Sequence, residues 1–281
     1  MKEPKTVVIL RICGIVFLLI FVLFPIYWLV ISSLKYPTDI HTMHPSIFPN
    51  RLRFENYLEI WETVPLGRYF KNSLIVSISS MILATIVSTF AGYSLSKFRY
   101  PGRKAIGTSF LVTQMFPGIL FLLPYYLIFI WIKNELGIKL VGTYPGLIIT
   151  YTAFVAPFAI WVMRGYFDTV PSELREAALI DGCGNFKAFV RIILPTAKPG
   201  IVTVAILSFM KAWNEVLFAT VLTNNETRTL PLGLYEFQTQ FQSSWHLIMA
   251  AGVMISVPVI IFFTFLQKHL VTGFTSGAVK G

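Results

Sequence analysis

The chain has 281 residues, of which 55% are hydrophobic and 13% are charged, and its mean hydropathy is +0.69. This composition excludes an ordinary soluble domain and indicates an integral membrane protein. The formal net charge of +10 at pH 7 does not indicate nucleic-acid binding, because the basic residues concentrate near the ends of apolar runs, where they orient the chain and contact lipid.

Six apolar runs are each long enough to cross the hydrocarbon core, which takes about 20 helical residues. Five are uncharged and cover residues 12–34, 72–96, 105–132, 140–163 and 247–267. The sixth, 200–222, contains Lys211 and Glu215. The first run is too long for a cleaved signal sequence. The sequence therefore predicts an all-α integral membrane protein with six transmembrane helices.

Lys and Arg residues predict the orientation of the chain. Segments 1–11, 97–104, 164–199 and 267–281 hold 14 of them in 70 residues, whereas 35–71, 133–139 and 223–246 hold 8 in 68. Because cytoplasmic loops are enriched in these residues, both termini are predicted to be cytoplasmic.

Several shorter signals qualify this topology. Pro117, Pro124, Pro157 and Pro258 interrupt three of the runs and favour either packing kinks or a moving pathway. In the external segment, RFENYLEIW predicts one short helix. The closing TSGAVKG predicts a flexible tail. Cys13 and Cys183 fall on different parts of the topology and predict neither a disulfide nor a metal site.

The loop 164–199 has its own helical pattern. In SELREAALID, the side chains of Leu174, Ala177, Ala178 and Asp181 share one helix face, and Gly182 follows as a helix-ending glycine. Asn185 is a suitable N-cap for a second helix with an apolar stripe of Phe186, Phe189, Val190, Ile193 and Leu194, and Pro195 is expected to end it. The stripe needs a cover, which is either the chain's own membrane helices or a groove on a partner.

The segment EAALIDGCGNFKAFVRIILP resembles the signature of membrane subunits of ATP-binding-cassette (ABC) importers. That signature is Glu-Ala-Ala, three residues, Gly, nine residues, Ile, one residue and Leu-Pro, and every spacing is kept. The matching residues are Glu176, Ala177, Ala178, Gly182, Ile192, Leu194 and Pro195. Five shorter motifs occur in a matching order along the chain: FENY at 54–57, NS at 72–73, MFP at 115–117, WN at 213–214 and SGAVKG at 276–281. With them the chain resembles the smaller six-span permease of two-permease, binding-protein-dependent importers of maltose or trehalose type.

The resemblance implies a type I ABC importer permease fold in a prokaryotic inner membrane. Residues 1–71 would form the first transmembrane helix and an external segment, 72–267 a five-helix core and 268–281 a cytoplasmic tail. Within the core, 164–199 would be a coupling loop seated on an ATPase. The implied partners are a second permease, an ATPase dimer that binds ATP and Mg²⁺, an extracytoplasmic sugar-binding protein and membrane lipid.

No sequence motif supports catalysis by this chain. GxxxxGK[ST], HExxH and GxSxG are absent, and the four histidines are scattered, so the sequence predicts no catalytic residue, metal site or cofactor of its own. Lys211 and Glu215 lie at i and i+4 and form either a structural ion pair or part of a translocation pathway with Trp213 and Asn214. An ion-coupled sugar carrier and a membrane scaffold without transport activity remain the alternative functions.

Overall fold

The structure is a computed structural model that describes residues 4–40, 42, 46–49, 51–237 and 244–278, with backbone alone from residue 266 onward. The described residues form helices and connecting turns. The α-helices are α1 (Lys5–Ser33), α2 (Pro37–Ile40), α3 (Asn56–Thr63), α4 (Leu66–Lys97), α5 (Arg103–Thr113), α6 (Leu122–Leu136), α7 (Tyr144–Thr169), α8 (Ser172–Ile180), α9 (Asn185–Ala188), α10 (Leu194–Thr196), α11 (Lys198–Trp213), α12 (Leu217–Leu222), α13 (Leu230–Gly233) and α14 (Trp245–Ala278). Gly118–Phe121 and Leu234–Phe237 are 3₁₀ turns, and Phe189–Ile193 is a π turn.

The predicted all-α membrane fold is confirmed. Five helical stretches in the described part of the chain are long and apolar enough to cross a membrane, namely α1, α4, Gly118–Leu136, α7 and Trp245–Phe265. A sixth is obtained when Asn185–Thr196 and Lys198–Trp213, which meet at 75°, are taken as one bent span.

Two of the predicted spans are broken rather than continuous. In 105–132, α5 ends at Thr113 and the chain becomes helical again only after Pro117, which has no N–H to continue a helix. In 200–222, α11 ends at Trp213 and α12 begins at Leu217. Breaks at membrane depth require that the freed backbone groups find partners inside the protein.

Two predicted helix ends also differ from the structure. The helix expected to end at Pro195 continues one residue further, to Thr196, directly after the π turn Phe189–Ile193. The expected flexible tail is helical to Ala278, as a continuation of α14, and residues 279–281 lie outside the described part.

Contacts group the chain into two compact units, of which the first contains residues 1–67 and 233–258. Its short helix α3 confirms the helix predicted in the external segment. The buried Asn56 amide donates to the carbonyls of Ser33 and Lys35, at 2.9 Å each. The ammonium of Lys35 donates to Ser46 O at 2.5 Å. Burial lowers the pKa of Lys35, and Asp39 opposes that shift.

The second unit contains residues 68–232 and 259–281 and is built around α4 and α7. At one end, the Asn72 amide donates to the carbonyls of Glu226 and Arg228 at 2.8 and 2.9 Å, and its oxygen accepts from the Tyr144 hydroxyl at 2.6 Å. At the other end, the rings of Tyr93, Phe167 and Phe189 form a buried aromatic cluster. The loop 164–199 leaves α7 at this second end.

Candidate functional site

The segment 172–189, here called the docking turn, has the helix, glycine and helix order that the sequence predicts. The amide of Gly182 donates to Leu179 O at 3.1 Å and that of Cys183 to Ala178 O at 2.9 Å, which closes the end of α8. Gly182 has φ = +79°, a conformation that side-chain-bearing residues adopt only with strain. Asn185 is not the N-cap expected for α9, because its side-chain oxygen instead accepts from Arg175 at 2.7 Å.

Side-chain exposure divides the docking turn and the stripe that follows it into two faces. Phe189 and Ile193 are buried within the second unit, so the chain itself covers that part of the apolar stripe. In contrast, Ile180 is 86% exposed and Phe186 is 71% exposed. One face of the stripe region therefore packs inward against the chain itself, and the other leaves large apolar side chains exposed.

The residues of the importer signature are distributed over both faces. Glu176, Ala177, Gly182 and Pro195 are exposed, Ala178 is buried, and Ile192 and Leu194 are half-buried against the aromatic end of the core. The sequence analysis missed Ile180, whose position directly before the Asp-Gly helix end was an available signal.

A second candidate site is the cleft beside the break between α11 and α12. It has a volume of about 320 Å³. Lys211, Asn214 and Glu215 supply polar groups, and the rings of Phe154 and Phe218 pack edge to face in its wall, with centroids 5.4 Å apart. The remaining lining residues are Tyr151, Val155, Ala212, Val216 and Leu217.

Glu215 explains why the backbone break is tolerated. Its carboxylate accepts from the backbone amides of Phe218 and Ala219 at 2.9 and 3.2 Å, and so caps the start of α12. Lys211 does not pair with it in the described structure. The Lys211 ammonium lies 5.1 Å from the centroid of the Phe158 ring. The ion pair considered from the sequence is therefore wrong.

Trp213 and Asn214 are adjacent in sequence but have different environments. Trp213 is fully buried, stacks on Phe209 with centroids 5.5 Å apart and meets the edge of Phe70 at 5.8 Å, so it belongs to the core and not to the cleft. Asn214 is exposed and lines the cleft, where its amide donates to Met210 O. Tyr151, which also lines the cleft, was missed because it lies in a different span and no local pattern links it to 211–215.

Among the described residues, no three His, Cys, Asp or Glu side chains are grouped so that they could hold a metal ion. Cys13 and Cys183 are free thiols.

Comparisons with known proteins show the family. Residues 84–276 match the family described as "Binding-protein-dependent transport system inner membrane component", and the chain belongs to that family. It is 35% identical over 272 residues to the inner membrane ABC transporter permease protein YcjP of Escherichia coli (strain K12), covering 96% of this chain and 95% of the relative. It is 33% identical over 285 residues to the trehalose/maltose transport system permease protein MalG of Thermococcus litoralis, covering both chains completely.

A solved structure shares the fold. A chain from the crystal structure of a bacterial ABC transporter that imports the acidic polysaccharide alginate aligns with a TM-score of 0.78 at 23% identity, covering 95% of this chain and 99% of that chain. The fold and the family together place this chain in the inner membrane as a multi-pass permease component of an ABC importer, and not as the enzyme that hydrolyses ATP.

Proposed function

We propose that this chain is one of two different permease subunits in an ATP-driven, binding-protein-dependent importer of di- or oligosaccharides. The proposal of a sugar substrate is supported by relatives whose names assign them trehalose or maltose and by a structural neighbour that imports a polysaccharide. The second permease would complete the translocation pathway, an ATPase dimer would bind from the cytoplasm, and a sugar-binding protein would deliver substrate from outside.

The exposed face of the docking turn is the observation that carries this proposal. Ile180 and Phe186 are large apolar side chains that the chain itself leaves uncovered, on two helices joined through Gly182, whose φ of +79° disfavours other residues. A rigid apolar projection fits a groove on a partner and transmits movement better than a flexible loop. Glu176, Ala177 and Gly182 lie exposed on the same projection, as the signature of coupling loops implies.

The cleft beside α12 supports a place in the translocation pathway for Lys211, Asn214 and Glu215. The half-buried Phe154 ring, packed against the buried Phe218, offers an apolar surface, and the amide of Asn214 and the ammonium of Lys211 offer hydrogen-bond donors. This combination suits a sugar ring, which has both apolar C–H faces and hydroxyl groups. Trp213 is removed from this proposed pathway, because it is buried in the core.

The proposed mechanism is alternating access. ATP binding closes the ATPase dimer, the docking turn moves with it, and the helices open outward to accept sugar from the binding protein. ATP hydrolysis and release of the nucleotide then return the helices to the inward-open arrangement. This chain contributes the docking surface and half of the pathway to that cycle.

The first experiment is purification of the tagged chain from its native membrane in mild detergent, beside an Ile180→Asp variant. We expect a phosphate-loop ATPase and a second permease to copurify with the unaltered chain. The variant should lose the ATPase, because a buried unpaired carboxylate in an apolar contact is costly. Ile138→Asp is the matched control, since Ile138 is 52% exposed but lies outside the docking turn.

Two outcomes contradict the proposal. If the unaltered chain recovers no ATPase under conditions that preserve membrane complexes, the importer assembly is wrong for this chain. If Ile180→Asp retains the ATPase as well as Ile138→Asp does, the docking surface is wrong. Uptake of labelled trehalose and maltose by vesicles containing the assembled importer then tests the substrate class, with loss of uptake on omission of ATP as the expected result.

The ion-coupled carrier receives no support from the structure. Glu215 is the single acidic residue in the six spans read from the sequence, and its carboxylate is occupied by the two backbone amides at the start of α12. A membrane scaffold without transport activity does not explain why an amide, an ammonium and a carboxylate line a cleft beside the predicted span 200–222.

A further inference from the structure

Two hydrogen bonds join the end of α4 to the entry of the docking turn. The Ser96 hydroxyl donates to Asp168 at 2.6 Å, and the Lys97 ammonium donates to Val170 O at 2.5 Å. Both partners lie where the chain leaves α7 and approaches α8. The last turn of α4 therefore fixes the entry to the docking turn.

Phe98, the residue after α4, reaches the docking turn itself. Its ring lies 5.4 Å from the guanidinium carbon of Arg175 on α8. Arg175 in turn donates to the side chain of Asn185, at the start of α9, at 2.7 Å. One arginine thus connects three points: the end of α4, the first helix of the docking turn and the second.

The bridge is anchored in the core on its α4 side. Phe98 meets the edge of Tyr93 at 5.5 Å, and Tyr93 packs against Phe167 and Phe189 at 5.4 and 4.5 Å. These rings belong to the buried aromatic cluster of the second unit. Phe98 therefore contacts the core through Tyr93 while the Arg175 guanidinium lies over its ring.

Arginine suits this position for a geometric reason. Its planar guanidinium can stack on an aromatic face and donate hydrogen bonds in its own plane at the same time. A lysine ammonium keeps the charge but cannot satisfy both contacts with one planar group. The contact is therefore specific for arginine and for an aromatic ring.

We propose that Phe98 and Arg175 are positioning residues for coupling: through their contact the end of α4 holds α8 and α9 in the mutual orientation in which they engage the ATPase. This inference rests on the proposed docking function. Neither residue needs to touch the ATPase, and their role is to make the projection rigid.

The test begins with the chain alone, so that it does not depend on any partner. Amide hydrogen exchange is measured on the purified full chain in lipid nanodiscs, in peptides covering residues 172–189, for Phe98→Leu and Arg175→Lys. We expect exchange in this segment to be about tenfold faster in each variant, given the usual strength of a cation–π contact or a charge-assisted hydrogen bond. The conservative Phe98→Tyr should exchange like the unaltered chain.

The matched control is Arg99→Lys, the same substitution at an exposed neighbour of Phe98. It should leave exchange in 172–189 unchanged. The double variant Phe98→Leu/Arg175→Lys should exchange no faster than Arg175→Lys alone, because Arg175→Lys already removes the contact with Phe98. Unchanged exchange in the two single variants, or acceleration by Phe98→Tyr or Arg99→Lys equal to theirs, overturns the proposal. Faster exchange across α7 would show that a variant has lost its fold. In that case Phe98→Ile and Arg175→Met replace the two single variants, and the double variant combines them.

The second measurement uses the assembled importer. Phe98→Leu and Arg175→Lys should still copurify with the ATPase, because the exposed docking residues are intact, but should hydrolyse several times more ATP for each sugar transported than the unaltered importer. An unchanged ratio overturns the role in coupling. If no ATPase copurifies even with the unaltered chain, the proposed function fails, whereas the exchange experiment still decides whether Phe98 and Arg175 hold the turn.

Discussion

The Asn72 side chain connects three segments of the second unit through its two donated hydrogen bonds and the one it accepts from Tyr144. It is fully buried. Replacement by alanine would leave two carbonyls and a hydroxyl without this partner in a partly buried place. Polar groups left unsatisfied away from water lower the free energy of unfolding.

We therefore expect Asn72→Ala to destabilise the protein by about 2–4 kcal/mol, seen as a lower midpoint of thermal unfolding in detergent. Asn225→Ala is the control, because Asn225 is exposed and accepts one long hydrogen bond of 3.5 Å from Arg228. Equal midpoints for the two variants would contradict the role given to Asn72.

The neighbours Trp213 and Asn214 allow a sharp test of the proposed pathway. Asn214→Leu removes an amide from the cleft, so we expect the KM for sugar uptake to rise by about two- to tenfold, the value of one hydrogen bond, with little change in thermal stability. Trp213→Leu empties a core position and should lower the free energy of unfolding by about 2–4 kcal/mol.

The measurements are uptake kinetics in vesicles and thermal unfolding of the same two variants. Asn214→Leu with an unchanged KM would remove the cleft from the pathway. Retained stability in Trp213→Leu would contradict the core position of that ring.

At the scale of helices, α4 and α7 approach closely at Gly92. A β-carbon built on Gly92 would lie 2.7 Å from the β-carbon of Met163 and 2.9 Å from the backbone nitrogen of Arg164. Small residues allow such crossings in membranes, where lipid supplies no hydrophobic drive for helix association. The crossing holds together the two helices from which the docking turn is positioned.

Gly92→Ala should force these helices apart and destabilise the protein by about 1–3 kcal/mol, as overpacking does. Gly165→Ala serves as the control, since a β-carbon there meets nothing within 4 Å. We expect it to be neutral or slightly stabilising, because alanine favours helix. The midpoint of thermal unfolding and the yield of folded protein are compared for Gly92→Ala and Gly165→Ala. Equal values for the two variants would argue against the close crossing.

The sequence predicted the helices that continue through a whole apolar run, such as α1 and α7, because hydropathy alone determines them. It did not predict the break at residues 214–216. That break depends on Glu215 capping α12, which an uninterrupted helical pattern conceals. Pro117 was a visible warning, but whether a proline kinks or interrupts a membrane helix depends on neighbours that are distant in sequence.

The same distinction holds for the sites. The helix, Gly182 and helix of the docking turn were predictable, because residues close in sequence determine them. The contact of Phe98 with Arg175 and the presence of Tyr151 in the cleft were not, since each joins segments brought together only by the packing of α4, α7 and α11.

At the scale of the whole molecule, the orientation in the membrane remains a prediction from the distribution of Lys and Arg. It can be tested by replacing Cys13 and Cys183 with serine and introducing one cysteine, either as Ile138→Cys or as Ile180→Cys. Both positions are exposed in this chain. A membrane-impermeant maleimide applied to spheroplasts should label the Ile138→Cys protein only.

Disrupted membranes, from which the ATPase has been stripped, should allow labelling at both positions. The reverse pattern in spheroplasts would place the docking turn outside the cell. In that case both the assignment of 164–199 as a coupling loop and the predicted cytoplasmic location of the termini would be wrong.

Most side chains of α1 are exposed, so packing within this chain places little constraint on which apolar residues they are. The most apolar window of α1 has no buried residue, and Ser32 and Ser33, at its last turn, are its buried side chains. Exchanges among Leu, Ile, Val and Phe within this window should therefore drift freely as far as the described part of the chain is concerned. Any position that resists such drift marks a point where lipid or another subunit touches the helix, so a substitution survey of α1 maps its surroundings.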